Sequence, residues 1–95
     1  MTLWMVEYTY DERSERRDTA RPAHRAYLAS LVDAGQMLAY GRFDDDEQPG
    51  ALLIAIGDTS GDVERLIAAD PFVQEGLVPH HRIRKWDGNW GPSSV

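Results

Sequence analysis

The stretch QMLAYGRFDDDEQPGALLIAI, residues 36–56, decides the fold of this 95-residue chain. Two segments rich in apolar residues, 36–43 and 51–56, flank a polar segment that ends in Pro49 and Gly50. Apolar segments on either side of such turn residues are typical of a β-hairpin. We therefore predict two consecutive strands at the centre of the sequence.

A strand and a helix are predicted before this hairpin. Residues 3–10 are rich in aromatic and other strand-favouring residues. A helix is then expected from about Arg21 to Ala34, with Pro22 in its first turn and Gly35 as its stop.

A helix and a strand are also predicted after the hairpin. Val63, Leu66 and Ile67 form the apolar stripe of the helix, Pro71 ends it, and residues 80–86 form the last strand. The order β-α-β-β-α-β predicts an α+β, ferredoxin-like fold with an antiparallel four-stranded sheet and both helices on one face.

Composition indicates one ordinary globular domain, residues 1–95, with a tail from about residue 87. The net charge of −6 argues against a nucleic-acid partner, which normally requires a basic surface. No apolar segment approaches the length of a membrane span, so no membrane association is expected. The absence of cysteine favours a cytoplasmic location.

The second face of the sheet is predicted to be covered by another copy of the chain. A half-exposed sheet alternates polar and apolar residues, but the third strand is apolar on both faces. Two helices cover only one face, and an uncovered apolar sheet is unusual in a monomer. We therefore predict a homodimer with the sheets packed face to face. The apolar residues of the third strand are Leu52, Ile54 and Ile56 on one face and Ala51, Leu53 and Ala55 on the other.

Element order places several polar side chains at one end of the sheet. His24 lies on the inner stripe of the first helix, one turn before Leu28, and Asp70 follows the second helix. A carboxylate that fixes the tautomer of an imidazole creates a candidate general base. A buried histidine with a purely structural hydrogen bond is the alternative on residue type alone. The other polar residues expected at this end are Tyr8, Arg42 and either His80 or His81.

Two metal-binding interpretations are disfavoured. A site built from His24, Asp70 and one last-strand histidine has no close ligand spacing to support it. The acidic segment 44–47 lacks the complete spacing of a calcium-binding loop, so a solvated hairpin is the better interpretation. No metal is therefore predicted.

Four arginines precede or begin the first predicted helix. Arg13, Arg16 and Arg17 alternate with acidic residues, which favours an exposed loop of mixed charge. Arg21 is placed at the mouth of the predicted site, where it is available to an anionic substrate.

The motifs resemble the YciI-like, or YCII-related, family over nearly the whole chain. The residues that carry the resemblance are Arg21, Pro22, His24, Gly35, Gly41, Asp70, Pro71 and Phe72. The resemblance implies a dimeric α+β barrel and a site in which His24 and Asp70 are catalytic. It also implies small-molecule chemistry without a bound cofactor. The family often has proline after the glycine of the second strand, whereas this chain has Arg42, which favours an anionic substrate.

These observations lead to one functional hypothesis and two alternatives. The hypothesis is a cofactor-independent enzyme that transfers a proton in an isomerase- or lyase-type reaction on a ring or lactone-like substrate. The alternatives are a non-catalytic protein that binds a small ligand in the same pocket, and a structural dimerisation module. The predicted substrate-binding residues are Arg21, Arg42, Tyr8 and His81.

Overall fold

The computed structural model describes residues 1–91, so residues 92–95 at the end of the predicted tail lie outside the described residues. Four strands and three helices follow one another within residues 1–91. They are β1 (Leu3–Thr9), α1 (Ser14–Asp33), β2 (Met37–Arg42), β3 (Gly50–Ile56), α2 (Ser60–Ala68), α3 (Pro71–Gln74) and β4 (His80–Trp86).

The strands form one antiparallel sheet in the order β2-β3-β1-β4. Val6 lies opposite Leu53 of β3 and Ile83 of β4, and this register directs all three side chains to the same face. Helices α1 and α2 pack on that face, where Val6 and Leu53 are fully buried. The predicted α+β, ferredoxin-like fold is therefore confirmed.

Helix α1 begins at Ser14 rather than at Arg21, so Pro22 lies in its interior. The buried stripe continues backwards from Leu28 through His24 and Ala20 to Arg17, with the spacing of one helix face. The charged segment before Arg21 was predicted to be a loop. This prediction was wrong, because the buried face of α1 extends through this segment with an arginine, Arg17, in place of an apolar residue.

The guanidinium group of Arg17 is buried because it forms a hydrogen bond and also lies over an aromatic ring. Its Nη1 donates a 2.7 Å hydrogen bond to the carbonyl oxygen of Asp11, and its guanidinium carbon lies 4.7 Å from the ring centroid of Tyr10. Arg13 precedes the helix and donates to the carbonyl oxygen of Gly76. Arg16 stays exposed as predicted, although it lies on the helix.

Helices α1 and α3 end in the same way, at a glycine with positive φ. Gly35 has a φ of 74° and Gly76 a φ of 70°, backbone angles that residues other than glycine rarely adopt. The residue after each glycine donates its N–H to a carbonyl five residues earlier, from Gln36 to Leu31 and from Leu77 to Phe72. The predicted stop at Gly35 fits this geometry.

The segment after α2 differs from the sequence-based prediction. Helix α2 ends at Ala68, and Pro71 begins α3 instead of ending α2. Proline is well tolerated in the first turn of a helix, and it disfavours a helical conformation at Asp70 before it. Asp70 is accordingly extended and caps α3 with its side chain.

The face of the sheet opposite the helices carries partly exposed apolar side chains. Leu52 at its centre is 39% exposed, and Phe43 and Trp86 are exposed to a similar extent. Ile54 contributes a smaller exposed area to the same face. Within residues 1–91, no helix is long and apolar enough to cross a membrane.

Candidate active site

Asp70 lies at the centre of a buried hydrogen-bond network that joins three elements. Its carboxylate is fully buried and accepts hydrogen bonds from His24 of α1, Tyr8 of β1 and the backbone N–H of Phe72 in α3. The distances are 2.7 Å from His24 Nδ1, 2.8 Å from the Tyr8 hydroxyl and 2.9 Å from the Phe72 nitrogen. An ionised carboxylate only accepts hydrogen bonds, so this arrangement places the proton of a neutral His24 on Nδ1.

The side chain of His24 is largely buried, with 9% of its surface exposed. The ring stacks on Phe72 with 3.8 Å between centroids and 4° between planes. Nε2 makes no hydrogen bond with a described residue, yet it is not a buried unpaired atom, so it is accessible to solvent. With Nδ1 donating to Asp70, Nε2 is the ring nitrogen left to accept a proton, and His24 lines the adjoining cleft.

Two tyrosines beside Asp70 are held in their neutral form. Burial, followed by the negative charge of Asp70, raises the pKa of Tyr10 to about 12. Burial and the same carboxylate also raise the pKa of Tyr8 well above its usual range. Tyr8 thus remains a hydrogen-bond donor to Asp70 at neutral pH.

His24 lines a cleft of about 330 Å³ between α1, α3 and the sheet. Leu28 and Leu53 form part of its floor. The polar side chains around it include three arginines, and none of the residues within 1–91 that line it is acidic. The side chains that surround His24 in the cleft are Tyr10, Arg21, Arg25, Tyr40, Arg42 and Phe72.

The structure brings together His24, Asp70, Arg21 and Arg42 at the predicted end of the sheet. Three of these line the cleft, and Asp70 lies behind His24. Arg21 also forms an ion pair with Asp18, one turn earlier in α1. Tyr8 belongs to the same network, but it lies behind Asp70 and does not line the cleft.

His81 is placed away from the cleft. It lies opposite Tyr8 in the register of β1 and β4, whereas His80 lies opposite Thr9, so the two histidines face opposite sides of the sheet. His81 faces α2, where its Nε2 is 3.3 Å from a carboxylate oxygen of Glu64. The edge strand β4 is two strands away from the cleft wall formed by β3, which explains this separation.

Arg25 and Tyr40 line the cleft although the sequence analysis did not select them. Arg25 lies four residues after Arg21, so both project from one face of α1. Tyr40 lies two residues before Arg42 and shares its face of β2. Both periodicities were available in the sequence, but they identify a cleft-lining residue only after its neighbour, Arg21 or Arg42, has been placed at the cleft.

The family model for the YCII-related domain matches residues 1–87. The chain belongs to the YCII-related domain family. Among curated proteins, this YCII-related domain is 33% identical over 89 residues to Protein YciI of Escherichia coli O6:H1 and to Protein YciI of Shigella flexneri. Each alignment covers 83% of this chain and 91% of the relative.

Two solved structures show the fold of this YCII-related domain in other proteins. One is 5-chloro-2-hydroxyhydroquinone dehydrochlorinase (TftG) from Burkholderia phenoliruptrix AC1100, in complex with 2,5-dihydroxybenzoquinone. It has a TM-score of 0.75 and 24% identity, covering 90% of this chain and 93% of that chain. An antibiotic biosynthesis monooxygenase has a TM-score of 0.57 and 16% identity, covering 93% of this chain and 98% of that chain.

Proposed function

We propose that this YCII-related domain is a cofactor-independent enzyme in which His24 moves a proton and Asp70 positions it. The observation that carries the proposal is the 2.7 Å contact between His24 Nδ1 and a fully buried carboxylate, beside a cleft that His24 lines. The carboxylate fixes the tautomer and stabilises the imidazolium that forms when Nε2 accepts a proton.

The proposed reaction class is isomerisation or elimination on a small ring or lactone-like substrate. Nε2 removes a proton from carbon beside a carbonyl, and the electron pair of the C–H bond moves into an enolate. In an isomerisation, the imidazolium returns the proton to a different atom of the substrate. In an elimination, the enolate re-forms its carbonyl, a double bond forms between the α and β carbons, and the leaving group departs from the β carbon. The imidazolium then gives its proton to solvent. The structural likeness to a dehydrochlorinase supports this class.

We also propose that the domain acts as a homodimer through the open face of its sheet. The support is three partly exposed apolar side chains, Leu52, Phe43 and Trp86, on the face opposite the helices. The cleft opens on the helix side, so face-to-face packing of two sheets leaves it accessible.

Proton exchange in D₂O tests the proposed chemistry without a known product. Small hydroxyquinones and unsaturated lactones are incubated with the protein, and deuterium incorporation is followed by NMR. His24→Gln is expected to abolish exchange, and Asp70→Asn to reduce it by about 10²- to 10⁴-fold, because the tautomer is no longer fixed. His81→Gln is the matched control, since this histidine lies outside the cleft.

The two positions also give a readout that needs no substrate. In ¹⁵N NMR spectra of the wild-type imidazoles, the neutral form of His24 is expected to carry its proton on Nδ1, and Asp70→Asn is expected to change this tautomer. Exchange that survives His24→Gln unchanged would contradict the proposal. A wild type that binds these compounds without any exchange favours the ligand-binding alternative.

A further inference from the structure

The cleft beside His24 has a charge opposite to that of the whole chain. The chain contains 16 acidic and 10 basic residues, for a net charge of −6. Three of the basic residues, Arg21, Arg25 and Arg42, line this one cleft, and in the part of the chain that the structure describes no lining residue is acidic. A concave site of one sign concentrates ligands of the opposite sign even when the rest of the protein repels them.

Two of these arginines are available to a ligand. Arg21 is engaged by the carboxylate of Asp18. Arg25 and Arg42 form no ion pair or side-chain hydrogen bond with any of residues 1–91, and they come from different walls of the cleft, α1 and β2. Two guanidinium groups from separate walls are suited to binding one carboxylate or enolate oxygen pair.

The dimensions and walls of the cleft restrict the ligand further. Its volume of about 330 Å³ is close to the lower end of the range for small-molecule sites, about 300–1,000 Å³, which suits one substituted ring rather than a nucleotide. The aromatic side chains of Tyr10 and Tyr40 contribute flat surfaces.

We propose that Arg25 and Arg42 bind the negatively charged group of a small planar organic acid and thereby select the substrate of this site. The inference rests on the proposed function for its role in catalysis, but anion binding is measurable without turnover. An arginine pair that binds the ionised group also lowers the energy of the enolate that forms when His24 removes a proton.

The test compares three probe compounds that separate charge from shape. Benzoate is a planar ring with a carboxylate, benzamide is a similar ring without charge, and acetate has the charge without the ring. Binding is measured by isothermal titration calorimetry and by ¹H–¹⁵N NMR shifts of the backbone at Arg25 and Arg42. Benzoate is expected to bind about tenfold more tightly than either of the other probes.

Substitutions assign this preference to the two arginines. Arg25→Gln and Arg42→Gln are each expected to weaken benzoate binding about tenfold and to leave benzamide binding unchanged. Both positions are exposed, so the fold tolerates the change. Arg16→Gln is the matched control, because it removes the same charge from an exposed position of α1 outside the cleft.

The outcomes separate this inference from the proposed catalysis. His24→Gln is expected to retain benzoate affinity within about threefold, so anion binding stands even where proton exchange is absent. Equal affinity for benzoate and benzamide, or no benzoate binding, overturns the inference. An equal loss of affinity in Arg16→Gln and in the two cleft variants also overturns it, since general charge then explains the preference.

Discussion

At the scale of single residues, Asp70 connects the stability of the fold to the geometry of the site. A carboxylate that is completely removed from water is tolerated only when hydrogen bonds replace its hydration. Tyr8, His24 and the backbone of Phe72 supply three of them. Because these donors belong to β1, α1 and α3, the position of the His24 ring is determined by the packing of all three elements.

The two neutral tyrosines beside Asp70 predict a loss of stability at high pH. A free tyrosine has a pKa near 10, whereas burial and the nearby carboxylate raise the pKa of Tyr10 to about 12 and that of Tyr8 higher still. The unfolded chain therefore releases these protons first. Their contribution to stability is complete below pH 10 and decreases as the pH rises through 10 to 12, by about 1.4 kcal/mol per pH unit for each group.

Chemical denaturation between pH 9 and pH 12 measures this slope. Tyr8→Phe is expected to lower the free energy of unfolding at neutral pH by about 1–2 kcal/mol, because Asp70 loses a hydrogen-bond donor. Above pH 10, the free energy of unfolding of this variant is expected to fall less steeply with pH than that of the wild type, by the slope that corresponds to about one proton. Tyr40→Phe, at a position that is 38% exposed, is the control and is expected to leave the slope unchanged. Identical slopes for the wild type and Tyr8→Phe would refute this account.

At the scale of elements, Pro22 is an unfavourable residue in the interior of α1. It has no N–H for the carbonyl of Asp18, and a proline in a helix interior costs about 3 kcal/mol. Its ring is exposed and so contributes little packing in return. Removing the proline also makes the unfolded chain more flexible, which offsets part of this gain. Pro22→Ala is therefore expected to raise the free energy of unfolding by about 2 kcal/mol, as measured by urea denaturation at neutral pH.

Pro71→Ala provides the comparison for this prediction. Pro71 occupies the first position of α3, where the missing N–H is not required and the fixed φ is favourable. Its replacement is expected to reduce stability by about 0.4–1 kcal/mol. A decrease of similar size in Pro22→Ala would show that the proline in α1 stabilises the helix through contacts of its ring.

The sequence was sufficient for the order of the four strands and the two longer helices, but not for the short helix α3 or for the start of α1. Hydrophobic periodicity identifies Leu28 and Leu31, yet Arg17 continues the same stripe as a buried residue. Arg17 is buried because Asp11 and Tyr10 accommodate it, and these contacts depend on tertiary structure. Sequence periodicity has no means of recognising an arginine that takes an apolar position.

The same distinction explains which parts of the site were predictable. Topology alone brings His24 and Asp70 to one end of the sheet, where they are 2.7 Å apart. It does not determine that Tyr8 lies behind Asp70, or that the side chain of His81 faces Glu64. Those placements follow from the register of β1 with β4 and from the order of strands across the sheet.

At the scale of the whole molecule, the face of the sheet opposite the helices is left uncovered by the helices α1 and α2, which pack on the other face. Its central and peripheral apolar residues, Leu52, Phe43 and Trp86, are each about 40% exposed. The strand registers also place Glu7, Arg82 and Arg84 on this face, so its apolar side chains are interspersed with charged ones. Exposed large apolar side chains on one sheet face favour an interface between proteins. We propose that a second copy of the chain covers this face, because two identical faces are able to pack around a two-fold axis.

Leu52→Glu tests the predicted dimer at the centre of this face. The side chain is 39% exposed in the single chain, so a charge there is solvated and the domain is expected to remain folded. In a face-to-face dimer, the same charge is buried without a partner, and the dissociation constant is expected to rise at least about 100-fold. Light scattering at micromolar concentration is expected to show a dimeric wild type and a monomeric variant.

Val32→Glu is the matched control, because Val32 is also 39% exposed but lies on α1, and it is expected to leave the dimer intact. A wild type that is monomeric under these conditions, or a Leu52→Glu variant that remains dimeric, would exclude the open face as the interface.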